Sequence, residues 1–129
     1  MLAFCTRCWS EMHTDDLVCP RCGARVDDDP RSYDQKLSAA LSHPLPETRA
    51  RICWLLGQKR AIWAVPDLLK MLRDADLFVR IAALRALGEI GDPSAEPELQ
   101  AACKDDKPLV RVVAQGALEQ IRVRSGVAG

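Results

Sequence analysis

Four cysteines near the N-terminus are the strongest chemical signal in the sequence. Cys5 and Cys8 form one Cys-x-x-Cys pair, Cys19 and Cys22 form a second, and ten residues separate the two pairs. Each such turn places two sulfurs on one side of a tight loop, and two turns complete a tetrahedron about Zn²⁺. We therefore predict one bound zinc ion. Four thiolates leave no coordination position open for water, so its predicted role is structural.

Other thiol and imidazole chemistry is less favoured by the sequence. Iron in a four-cysteine site has the same ligands and remains an alternative, whereas a redox dithiol is disfavoured because both pairs are present. His13, between the pairs, is interpreted as a solvated loop residue and not as a substitute ligand. Cys53 and Cys103 have no histidine nearby in sequence, and we expect both to be buried thiols.

Composition and charge restrict the classes of function. The 129 residues are 48% hydrophobic and 28% charged, as in ordinary globular proteins, and the net charge is zero. Residues 1–33 carry four basic and six acidic side chains, which disfavours nucleic acid as the main partner of this segment. No apolar run approaches the roughly 20 residues of a membrane span, and the N-terminus lacks a signal-peptide pattern. We expect a cytoplasmic protein without a membrane contact.

The chain divides into four segments by composition. Residues 1–26 contain the paired cysteines, and residues 27–32 read as a charged linker with a proline. Residues 33–124 are helical by pattern, and residues 125–129 are expected to be a disordered tail.

The helical segment repeats itself with a period of 31 residues. Several columns of equivalent positions carry the register: Arg49, Arg80 and Arg111; Leu56, Leu87 and Leu118; Gly57 and Gly88; Pro66 and Pro97; Asp74 and Asp105. Within a unit, Val79, Ala83 and Leu87 recur at helical spacing, and Gly88 or Gly91 is a candidate helix end. The predicted helices are 33–43, 46–58, 64–74, 77–90, 95–104 and 108–123, which pair into three stacked hairpins.

Two sets of residues resemble known families. The stretch DADLFVRIAALRALGEIGD, at 74–92, resembles short HEAT repeats, a form also found in phycobilin lyase-like proteins, and the resemblance extends over roughly 36–122. FCTRCWSEM and CPRCGARV look like the two knuckles of a zinc ribbon. The resemblance implies a mainly α fold: an α-solenoid of about three HEAT-like helical hairpins with a small N-terminal zinc ribbon. HEAT-type solenoids act as scaffolds, and nothing in the sequence matches a pigment site.

The first repeat departs from the pattern in ways that bear on partner binding. Arg51 stands where alanine is expected, and the segment around Trp54 is apolar on every face of its helix, so we expect a cover for it. Either the ribbon folds back, with Trp9 or Phe4 against Trp54, or the patch meets another protein. Trp63 is a second aromatic departure, because its column holds a serine in the next repeat.

The arginine column also has two interpretations. Arg49, Arg80 and Arg111 each follow His43, Asp74 or Asp105 by six residues. In the structural interpretation each arginine ties its helix to an inter-helix turn through a carboxylate or carbonyl. In the functional interpretation they form a stripe that binds an anionic partner.

The favoured function is a non-catalytic protein-interaction adaptor or scaffold whose partner is another protein. A nucleic-acid-associated zinc-ribbon protein is the alternative, for which the basic residues of the first repeat are the best case. An enzyme with a small-molecule substrate is not expected, because no Ser-His-Asp set, phosphate-binding glycine loop or open metal triad is visible.

Overall fold

The computed structural model describes residues 2–5, 7–13, 15–25 and 33–124. The predicted linker at 27–32 and the predicted tail at 125–129 lie outside the described residues. The boundaries of the two predicted domains therefore stay predictions.

The N-terminal part is built from two small hairpins. Strands β1 (Leu2–Phe4) and β2 (Glu11–His13) pair antiparallel, with Leu2 opposite His13 and Phe4 opposite Glu11. A further antiparallel bridge joins Val18 to Arg25. Each cysteine pair falls in the turn between the two paired segments of its hairpin, so the hairpins bring both turns to one end of the module.

The described residues from Tyr33 onward form three helical hairpins, which confirms the predicted mainly α, solenoid-like fold. The helices are α1 (Tyr33–Ala40), α2 (Pro46–Gln58), α3 (Val65–Met71), α4 (Leu77–Ile90), α5 (Glu96–Ala102) and α6 (Pro108–Arg124). Short 3₁₀ turns at Ile62–Ala64 and Pro93–Ala95 precede α3 and α5. The predicted helix ends differ from these by at most three residues, because turns replace the last residues of α1, α3 and α5.

Local chemistry explains where α4 begins and ends. The Asp76 carboxylate accepts hydrogen bonds from the backbone N–H groups of Phe78 (2.9 Å) and Val79 (3.2 Å), which satisfies two donors at the helix N-terminus. Gly91 ends the helix in the left-handed conformation, at φ 78°, with its N–H bonded to Leu87 O. Of the two glycines that the sequence offered as a helix end, Gly88 lies inside α4 and serves packing instead.

The second helices of the hairpins lie side by side, and small residues set their spacing. A Cβ atom added to Gly57 of α2 would lie 2.9 Å from Ala86 Cα of α4, and one added to Gly88 would lie 2.9 Å from Ala117 Cα of α6. The core between the helix layers consists of fully buried aliphatic residues from all three hairpins, among them Leu37, Ile52, Leu56, Leu68, Leu84, Leu87, Leu99 and Ile121. Among the described residues, no helix combines the length and apolar character needed to cross a membrane.

Candidate metal centre and repeat surface

The two cysteine pairs meet at the end of the N-terminal module. The sulfurs of Cys5, Cys8, Cys19 and Cys22 all lie within 4.8 Å of one another. Two sulfur pairs are closer: Cys5 with Cys22 at 3.6 Å, and Cys8 with Cys19 at 3.7 Å. Four sulfurs at about 2.3 Å from a central Zn²⁺ would lie about 3.8 Å from each other, so the donor set fits a tetrahedral ion. The same distances are far too long for a disulfide.

Backbone N–H groups donate hydrogen bonds to the cysteine sulfurs. Arg7 N donates to Cys5 Sγ at 3.4 Å, and Arg21 N donates to Cys19 Sγ at 3.4 Å, which are equivalent bonds in the two turns. Cys22 N also reaches Cys19 Sγ, at 3.5 Å. Such donors stabilise negative charge on sulfur, as a metal-binding thiolate requires.

The thiols differ in acidity even though they share one site. The N–H groups of Cys22 and Arg21 lower the pKa of Cys19 to about 6. The N–H of Ala24 lowers the pKa of Cys22, but partial desolvation and the neighbouring sulfurs together outweigh it and raise that pKa to about 11. Crowded thiols of this kind do not all ionise by themselves. A cation placed among them would compensate the thiolate charges and displace the remaining protons.

Trp9 follows the first cysteine pair directly and lies in the core of the helical part. It is 1% exposed and belongs to the same buried cluster as the aliphatic residues of the repeats. Its ring meets that of Tyr33 edge-on, with 6.2 Å between the ring centroids. The N-terminal module therefore packs on the first repeat, but not through Trp54, which stays 53% exposed.

The arginine column points its donors into the turns. Arg49 forms a two-point ion pair with Asp74 (2.9 and 3.1 Å) and also donates to His43 O. Arg80 donates to Asp74 O, and Arg111 donates to Asp105 O, each at 2.7 Å. This geometry agrees with the structural interpretation of the column, since these guanidinium groups are engaged within the fold.

The Arg49 ion pair affects the acidity of its partner. Burial opposes ionisation of Asp74, but the Arg49 guanidinium and the N–H of Asp76 hold the pKa of Asp74 below its ordinary value of 3.8. Asp74 lies in the turn of the second hairpin and Arg49 on α2 of the first, so the pair joins two repeats.

An apolar groove of about 430 Å³ runs between α2 and α4 toward the start of α6. Trp54, Phe78 (70% exposed) and Leu109 line it, together with the small residues Gly57 and Ala82. Arg85 and Glu89 also line the groove.

The two tryptophans singled out by the sequence do not share a site. Trp63 is exposed but is not among the residues that line the groove of Trp54. The sequence pattern does not single out Phe78 and Leu109, although they occupy equivalent positions 31 residues apart. The equivalent residue in the first repeat is Glu47, so the three positions do not form an apolar column. Exposed residues in the first turn of a helix also do not follow the periodicity of its buried face.

The architecture defines a helical-repeat protein with a four-cysteine module at its N-terminus. A family model described as HEAT repeats matches residues 35–119, and the chain belongs to that family. It is also 32% identical over 81 residues to a protein of Pseudanabaena tenuis named "Uncharacterized phycocyanin operon protein Z". The match covers 63% of this chain and 40% of the relative, so the similarity spans about two fifths of that protein's length.

Proposed function

We propose that this protein is a non-catalytic interaction adaptor that binds another protein in the groove of Trp54, Phe78 and Leu109. The observation that supports it is the exposure of two large aromatic side chains, Trp54 and Phe78, in one groove of a HEAT-repeat fold. Exposed aromatics in a concave, mostly apolar setting are typical of residues that dominate binding energy.

The test compares partner recovery by variants of the full chain. Trp54→Ala and Phe78→Ala remove the groove aromatics, and Ile62→Ala removes a large side chain that is 63% exposed but outside the groove. Loss of an interface anchor costs about 2 kcal/mol, roughly a thirtyfold decrease in affinity. Proteins cross-linked to the wild type in native extract should be lost from both groove variants and kept by Ile62→Ala. Equal recovery by all three variants contradicts the proposal.

The four-cysteine centre is proposed to hold one structural Zn²⁺. The donor set, the sulfur spacing and the N–H groups near the sulfurs support a zinc-ribbon module at about residues 1–26, joined to a repeat domain at 33–124. Four thiolate ligands leave no position for a substrate, which supports a non-catalytic role. The thiols must stay reduced to bind the metal, so a cytoplasmic location is part of the proposal. Elemental analysis of protein purified without added metal should give one zinc per chain, and Cys19→Ser should lose it. A stoichiometric iron content instead would contradict zinc.

Nucleic-acid association is a second candidate function, because three arginines line one cleft. A cavity of about 480 Å³ between the cysteine turns and α2 is lined by several residues that include Arg7, Arg21 and Arg51. Glu47 lines it as well, and a Zn²⁺ with four thiolates would add a net charge of about −2, so the cleft has no excess of positive charge. Binding to duplex DNA or single-stranded RNA that weakens steeply with salt, and that Arg21→Ala reduces, would favour this function.

A further inference from the structure

The ribbon and the repeats share a contact that depends on the first cysteine turn. Trp9 is 1% exposed, packs with the buried residues of the repeats and meets Tyr33 of α1. Phe4, at the end of β1, packs at the edge of the same cluster. These side chains cover the end of the helical stack where no preceding repeat lies among the described residues.

Arg51 of α2 anchors the same contact. Its Nη1 donates a 2.6 Å hydrogen bond to Trp9 O, across 42 residues of sequence, and its guanidinium lies 5.8 Å from the centroid of the Phe4 ring. The equivalent positions in the other repeats are Ala82 and Val113. The arginine therefore occurs only in the repeat that faces the ribbon, and its two contacts explain why the first repeat departs from the pattern here.

The backbone at Trp9 is held in place by the cysteine turn. Trp9 has a positive φ of 61°, in the left-handed region that bulky residues rarely occupy. Its N–H bonds to Cys5 O at 2.7 Å, and Cys5 N bonds to Ser10 O at 3.0 Å, which closes the loop around the first pair of thiols. Apart from Trp9 and Phe4, the described residues of the module have a buried cluster of only Cys5, Met12 and Cys19, which is too small to keep such a turn folded without metal.

We infer that metal occupancy of the four-cysteine centre controls whether the end of the helical stack is covered. With metal bound, the turn presents Trp9 to the core and its carbonyl to Arg51. When the metal leaves, the turn loses its support, Trp9 withdraws, and the apolar end of the first repeat becomes accessible. By linkage, the repeats in turn raise the affinity of the ribbon for the metal. This inference rests on the proposed metal site.

The test uses the full chain with Trp54→Phe and Trp63→Phe, which leaves Trp9 as the single tryptophan. The zinc-loaded protein is titrated with EDTA while zinc release, tryptophan emission, acrylamide quenching and helical circular dichroism are followed. We expect emission to shift to the red and quenching to rise in step with zinc release, while most of the helical signal remains. Zinc release without a change in Trp9 emission overturns the inference.

A second measurement separates this inference from the metal proposal. Arg51→Ala should lower zinc affinity at least about fivefold, the lower end of typical coupling between sites, although Arg51 is not a ligand. Arg73→Ala removes an exposed arginine in the turn after α3, outside the groove, and should leave zinc affinity unchanged. If zinc binds at one per chain with the same affinity in wild type and Arg51→Ala, the metal proposal stands and the coupling is wrong. If the protein binds no metal, both are wrong.

Discussion

Two glycines that fix the spacing of the second helices give a matched comparison with a third. Gly57 and Gly88 lie inside helices, where a new Cβ would come within 2.9 Å of a backbone Cα atom on the neighbouring helix. Gly116 also lies inside a helix, α6, but a Cβ there meets nothing within 4 Å. Replacement of each by alanine thus makes the same change in helix propensity and a different change in packing.

The two contributions have opposite signs. Alanine in place of glycine in a helix interior stabilises by about 1 kcal/mol, because less backbone entropy is lost on folding. An extra methyl group in a tightly packed core costs about 1–3 kcal/mol, because the helices must separate. Gly116→Ala should gain about 1 kcal/mol, whereas Gly57→Ala and Gly88→Ala should change stability by roughly 0 to −2 kcal/mol after the propensity gain is included.

Thermal unfolding of the full chain, followed by circular dichroism at 222 nm, tests this difference. At roughly 4 °C per kcal/mol for a chain of this size, Gly116→Ala should melt roughly 4–12 °C above each of the other two variants. If Gly57→Ala melts at or above the temperature of Gly116→Ala, the helices are not held at the separation described here and the packing argument is refuted.

Two further predictions concern ionisable groups. Because the pKa of Asp74 is lowered in the folded state, its bond with Arg49 contributes fully above the ordinary pKa of 3.8 and is lost as pH falls through the lowered folded value. In urea titrations, Asp74→Asn should therefore reduce the free energy of unfolding by about 1.5–3 kcal/mol at pH 7, and by progressively less below pH 3.8. The control is Asp67→Asn, which removes an exposed ion pair and should change the free energy of unfolding by less than about 0.5 kcal/mol. Burial raises the pKa of Cys53 to about 12, so about one thiol in ten thousand is ionised at pH 8. Cys103, which the sequence also predicted to be buried, is only half-buried in the structure. Mass spectrometry after iodoacetamide treatment should therefore find Cys103 modified in the native protein and Cys53 modified only after unfolding; rapid native labelling of Cys53 would contradict its burial.

The repeat pattern predicted most of the helices, because the spacing of apolar residues within each helix indicates which face is buried. A 31-residue register places equivalent residues on equivalent faces, so the three hairpins and their order follow from the sequence. The predicted ends were less accurate for α1, α3 and α5, the short first helices of the three hairpins. There, 3₁₀ turns and backbone-bonded turns compete with helix, and the choice depends on packing between hairpins. Gly88 shows the same limit, since its role depends on Ala117 of another helix.

Contacts between distant segments explain what the sequence did not predict. Trp9 was considered as a possible cover for Trp54, yet it lies against Tyr33 and accepts a bond from Arg51. The departure of Arg51 from the repeat pattern was visible, but nothing in the sequence indicates which carbonyl it reaches. The cysteine spacing, by contrast, predicted that four sulfurs would converge, because each pair is set by a local turn.

The two junctions between neighbouring hairpins differ in the bonds that hold them together, and this difference has a mechanical consequence. Arg49 bonds the Asp74 carboxylate at two points, whereas in the described part of the chain Arg80 bonds only backbone carbonyls and makes no ion pair with Asp105. The junction between the first and second hairpins thus has an ion pair that the next junction lacks, so we expect the first junction to be the stiff one and the next to be the compliant one. Trp54 and Phe78 flank the stiff junction, and Leu109 lies beyond the compliant one. If a partner binds in the groove as proposed, we expect the end at Trp54 and Phe78 to keep its shape and the end at Leu109 to adjust to that partner.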